Sequence, residues 1–114
     1  MDIARYEVGA RLSQAVKHGD TIYLAGQVDD SAPSVKAQTE GILRKVDACL
    51  KHFGSDKTKI LAATIYLTDI GDFAAVNAVY GKHMPDPPPA RSTFQVAKLP
   101  SGALVEIEAV ALVS

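Results

Sequence analysis

A single cysteine, Cys49, leaves the chain without an intrachain disulfide, and no Cys-x-x-Cys or Cys/His spacing offers a zinc site. An excess of one charge is also lacking. Twelve Lys plus Arg against 13 Asp plus Glu give a formal net charge of -1. No strong field gathers polyanions, and no Lys/Arg cluster follows a predicted face, which argues against nucleic acid as a ligand. Aromatic residues make up 6% of the chain, too few for the stacking platforms that line single-strand channels. No apolar run reaches membrane-spanning length, and the opening MDIARYEVGARLSQ holds no apolar h-region. The expected setting is a reducing cytoplasm, with no metal and no membrane partner.

What is present fits one globular domain over residues 1–114, with 47% hydrophobic and 22% charged residues. TIYLAGQV (21–28) follows the turn His18-Gly19-Asp20 and reads as a strand, paired with a run around residues 13–16. Ile42, Val46, Cys49, Leu50 and Phe53 recur at spacings of three and four, which predicts a helix over 35–53 stopped by Gly54. KILAATIYLT (59–68) reads as a strand. A second helix over about 72–84, capped by Asp69 or Asp72, carries Phe73, Val76, Asn77 and Tyr80, with Asn77 an amide in an apolar row. The prolines of 85–89 stiffen the link to two last strands, RSTFQVA and LVEIEAVALV. The pattern predicts an α+β two-layer domain, a mixed sheet with two helices on one face. Its other face needs cover, with Ile22 and Leu24 expected to line it and another copy of the chain as the simplest lid.

The last two strands put full charges into core-like segments. By alternation Arg91, Thr93 and Gln95 share a face of one strand, and Leu104, Glu106 and Glu108 share a face of the next. The charges thus collect on the more polar side of each. One reading is a solvated face, or an ion pair between Arg91 and a glutamate. The other is a carboxylate pocket, in which the guanidinium fork grips a small acid and a glutamate beside it orients or deprotonates a water.

PARSTFQVAKLPSGALVEIEAVA resembles the C-terminal signature of the RidA/YjgF family of reactive-intermediate deaminases. The likeness lies in the proline before the arginine, RST, QVA-x-LP and the VEIEA run. GDTIYLAGQV and DFAAVNAVY are similar to that family's N-terminal strand and second helix, and the similarity runs in order over essentially the whole chain. ARLS, the short loop after GQV and FAAVNAVY look closer to the smaller YoaB-like branch. The resemblance implies a chorismate-mutase-like fold that assembles as a homotrimer, with a central barrel and sites between subunits. It further implies hydrolysis of 2-imino acids or their enamine tautomers to 2-oxo acids and ammonia, as in 2-iminobutanoate/2-iminopropanoate deaminases, with no cofactor.

Position by position, the resemblance gives Arg91 the substrate carboxylate and Glu106 the attacking water. Gly26 offers backbone to the ligand, Thr93 lies in the pocket, and Asn77 faces the cleft from a neighbouring subunit. The sequence departs from well-studied members at Leu12, where a tyrosine lines the pocket, and at Ala25, where a serine precedes the glycine. Thr93 stands where some members have cysteine. The alternative to an enzyme is a non-catalytic trimer that holds a 2-oxo acid through the same Arg91. A nuclease lacks a basic stripe, and chorismate-mutase activity rests on fold analogy alone. His18, His52 and His83 read as turn and helix-end residues, Cys49 as a buried hydrophobe, and Tyr23, Tyr66 and Tyr80 as packing. Glu108 reads as an ion-pair or interface partner outside the site.

Overall fold

A computed structural model describes residues 2–114. Six strands form one sheet: β1 (Ile3–Val8), β2 (Ser13–His18), β3 (Thr21–Gln27), β4 (Ile60–Leu67), β5 (Ala90–Gln95) and β6 (Val105–Leu112). Two helices accompany it, α1 (Val35–His52) and α2 (Phe73–His83). The strand order is β1-β2-β3-β6-β4-β5, with β4 and β5 parallel and every other neighbouring pair antiparallel. This is the mixed α+β sheet that the element pattern predicts. Among the described residues no helix is long and apolar enough to cross a membrane.

The core forms between the helices and one sheet face. Ile42, Leu43, Val46 and Leu50 of α1 are each at most 1% exposed, and they meet Ile22, Ile65, Leu67, Val105 and Ile107 of the sheet. The start of α1 is held by Ser34, whose hydroxyl accepts from the Ala37 N–H at 3.1 Å. Its end is closed by Gly54, which adopts φ +77° while the amides of Gly54 and Ser55 bond to Lys51 and Leu50 carbonyls. Gln38 joins the layers: it is 4% exposed, and its Oε1 accepts the Leu104 N–H at 2.9 Å where the chain enters β6.

Four expectations change. β1 is an additional strand that IARYEV marks only faintly: Ala4, Tyr6 and Val8 do alternate with Arg5 and Glu7, but as an edge strand with only Ala4 and Tyr6 half-buried it carries little apolar bulk. Ile22 and Leu24 face the helices at 0% and 5% exposure instead of lining the open face. The helix layer takes the branched residues of β3, which turns Tyr23 outward at 51% exposed. Asp69 caps a short 3-10 turn by accepting from the Gly71 N–H, while Asp72, at the α2 N-cap, makes no side-chain cap bond. Phe73 is 39% exposed instead of buried with Val76 and Tyr80.

Candidate functional site

The expected meeting of Arg91 with a glutamate does not occur within one chain. Ala63 of β4 pairs with Arg91 on one side and Ala109 on the other, while Tyr66 pairs with Phe94 and Glu106. Residues 63 and 66 have opposite parity, so Arg91 points to the helix face and Glu106 to the open face. β4 also separates their strands, a lateral offset of about 10 Å. Each charge therefore lies on its own face of the sheet.

On the helix face α2 overlies the start of β5. The Arg91 Cζ lies 5.4 Å from the Phe73 ring centroid and 4.9 Å from that of Tyr80. A guanidinium between two aromatic rings is held by cation–π attraction while its edge N–H groups stay free for a planar acceptor. No carboxylate occupies that edge: the ion pair found among the described residues is His83 with Asp47. Beside Arg91 lies a cavity of about 390 Å³ walled by Asn77, Tyr80, Met84, Pro85 and Pro88. The amide in α2's apolar row thus faces the cavity of the unpaired cation. Burial pushes the Tyr80 hydroxyl above its ordinary range, against the opposing effect of the Arg91 charge. The Tyr80 hydroxyl and Thr93 Oγ1 are buried without hydrogen-bond partners. Thr93 shares Arg91's face two positions on.

The second charge lies on the open face. β3 and β6 lose register between Leu24 and Gln27, which brings Gly26 against Glu106. A Cβ at position 26 would stand 2.6 Å from both Cδ and Oε2 of Glu106, so only glycine leaves that carboxylate its place. Burial first, then the Glu108 carboxylate, raises the Glu106 pKa above the usual value. A carboxyl group with that bias suits proton exchange with a bound water.

Gly26→Ala is accordingly a test of placement. The obstruction is the end of a flexible side chain, so the variant is expected to fold with the wild-type far-UV spectrum. If that carboxylate exchanges a proton with a reacting water, displacing it by about 1 Å should lower the rate of that reaction roughly 100-fold. An undiminished rate in a folded Gly26→Ala protein would separate Glu106's placement from any chemistry.

From the sequence Tyr66 reads as packing and Glu108 as an ion-pair or interface partner; the structure places both on the open face beside Glu106. The Tyr66 hydroxyl donates to Glu108 Oε1 next to Glu106. The signal available was the Glu106/Glu108 repeat on one strand face, but Tyr66's place beside it depends on β4–β6 register. Leu12 is 54% exposed before β2. Cys49 is buried, and desolvation followed by the Glu7 charge pushes its thiol up, which suits a core residue. No three metal-ligating side chains cluster among the described residues.

The Endoribonuclease L-PSP family model matches residues 3–113. Reactive Intermediate Deaminase A, chloroplastic, from Arabidopsis thaliana is 41% identical over 106 residues, covering 87% of this chain; the chain spans 57% of that relative. The goat (Capra hircus) 2-iminobutanoate/2-iminopropanoate deaminase is 41% identical over 107 residues, covering 88% of this chain and 78% of its own. A crystal structure of a YjgF-family protein from Neisseria meningitidis superimposes with a TM-score of 0.94 at 34% identity, covering 98% of this chain and 95% of that one. Sequence match over nearly the whole length and the shared six-stranded architecture lead to one assignment: the chain belongs to the RidA/YjgF family.

Proposed function

We propose that this protein hydrolyses 2-imino acids, or their enamine tautomers, to 2-oxo acids and ammonia in sites built between subunits of a homotrimer. The observation that carries the reading is the unpaired Arg91, stacked between Phe73 and Tyr80 beside an open cavity. The family relation and the deaminase names of relatives near 40% identity support it. The two half-sites lie on opposite faces of the sheet, so a second copy must bring its Gly26 and Glu106 to the Arg91, Asn77 and Thr93 of the first. The open face, with Tyr23 at 51% and Phe94 at 54% exposed, offers apolar surface for that association.

Arg91 takes the substrate carboxylate through two parallel N–H bonds, which fixes the imine carbon near a water. Glu106 accepts a proton from that water as its oxygen attacks the carbon and the C=N pair moves to nitrogen. Glu106 then returns the proton to nitrogen to give the neutral aminol. It next relays the aminol hydroxyl proton to that nitrogen as the C=O bond forms and the C–N bond breaks, releasing the 2-oxo acid and ammonia. Water supplies the oxygen, and no redox partner is required. Met84, Pro85 and Pro88 give the cavity an apolar wall beside the Asp86 carboxylate, which suits a substrate with a short apolar side chain.

The test generates 2-iminopropionate or 2-aminoacrylate in situ and follows 2-oxo acid release, with light scattering for the assembly. Release above the spontaneous rate by a particle of three chains is expected. A wild-type rate equal to the spontaneous one, with pyruvate still bound, would replace the enzyme by a 2-oxo-acid-binding trimer.

A further inference from the structure

Glu106 and Glu108 project from the same face of β6, roughly 7 Å apart along the strand. Neither has a cationic partner among the described residues. Tyr66 stands directly opposite Glu106 in the β4–β6 register, and Thr64 stands opposite Glu108. From β3 the neighbour is Gly26, which brings no charge, with Tyr23 further along. Tyr66 reaches diagonally past Glu106, and its hydroxyl donates to Glu108 Oε1. Within one chain the titratable groups nearest Glu106 are therefore the Glu108 carboxylate and the Tyr66 phenol, and the proposed assembly adds the Arg91 guanidinium of a second copy.

This arrangement does something that Glu106 alone cannot. A lone half-exposed carboxylate beside Gly26 could turn toward water and lose its orientation. A second carboxylate, pinned by a phenol on the neighbouring strand, applies a fixed negative field from one side. That field disfavours the Glu106 anion and favours the state in which Glu106 has taken a proton. The Tyr66 bond decides where the charge sits, because it removes the Glu108 head group's freedom to swing into solvent.

We propose that Glu108, anchored by the Tyr66 hydroxyl, is a positioning residue that sets how readily Glu106 takes and returns the proton during imine hydrolysis. The proposal rests on the deaminase reading. Glu108 itself forms and breaks no bond. Both water protons pass to nitrogen through Glu106, one as the aminol forms and one as it collapses, so the cycle balances without a second acid.

Two measurements test the pair, the first of them independent of activity. In protein labelled with carbon-13 at the glutamate carboxyl groups, the Glu106 signal is assigned by its loss in Glu106→Gln and titrated by NMR. Removing the like charge in Glu108→Gln should lower the Glu106 midpoint by roughly half to one pH unit, with a smaller fall in Tyr66→Phe. The acid limb of kcat/KM should move by the same amount in each variant while KM holds, and Glu108→Asp should restore part of the shift. An unmoved Glu106 midpoint in folded Glu108→Gln protein, with wild-type turnover intact, overturns the positioning pair alone. Absence of wild-type turnover above the spontaneous rate overturns the deaminase reading whatever the titration gives.

Discussion

Arg91→Ala is expected to lower kcat/KM for 2-imino acids by roughly 100- to 10,000-fold, measured as 2-oxo acid release from imines formed in situ. Two hydrogen bonds to a charged group, at about 1.5–3 kcal/mol each, supply that range. The loss should not be confused with unfolding. Arg91 is half-buried and makes no ion pair among the described residues, so its removal strands no buried partner charge. It does empty the space between Phe73 and Tyr80, and loosening that end of α2 should lower the thermal midpoint modestly. Arg91→Lys separates the contributions. It keeps the charge but not the planar fork, so the bound carboxylate loses its fixed orientation and kcat should fall more than affinity. Equal activity in wild type and Arg91→Ala would remove the carboxylate site and both functional readings with it.

How much of this was readable beforehand depends on what kind of order each feature follows. The α1 stripe of Ile42, Val46, Cys49 and Leu50 obeys a period that lies wholly within the sequence, and all four are buried. Arg91 was conspicuous for a similar local reason, a full charge opening an apolar segment. Alternation within a strand says which residues share a face, but not which face of the sheet they share. Arg91 and Glu106 belong to strands that never touch. Their opposite orientation is settled only through β4, which pairs Ala63 with Arg91 and Tyr66 with Glu106. The same applies to Gly26, whose meaning depends on a register shift beside β6, and to Tyr66, an ordinary strand aromatic until its neighbours are known. β1 is faint for a different reason. Ala4, Tyr6 and Val8 alternate with Arg5 and Glu7, but an edge strand with only two half-buried side chains is short of the apolar bulk by which strands stand out.

Glu106→Gln is expected to reduce kcat at least 100-fold while leaving KM within a factor of about two, the pattern of a group that acts on the transition state and not on binding. Glutamine retains the size and can still orient a water, but it cannot take the proton. Arg91 remains to hold the carboxylate, so 2-oxo acid affinity should be preserved. Stability gives an independent control. In the folded chain burial and then Glu108 raise the Glu106 pKa, so ionisation costs more there than in the unfolded chain. The associated stability is fully present below the unfolded-state pKa and is lost as pH rises through the higher folded-state value. Glu106→Gln carries no such loss, so its denaturation midpoint relative to wild type should improve from acid to neutral pH. A variant that is inactive, binds 2-oxo acid normally and shows this pH-dependent gain has lost a proton acceptor from an intact site. If kcat is unchanged, water is activated elsewhere, and the open-face carboxylates serve the association of subunits instead of the chemistry.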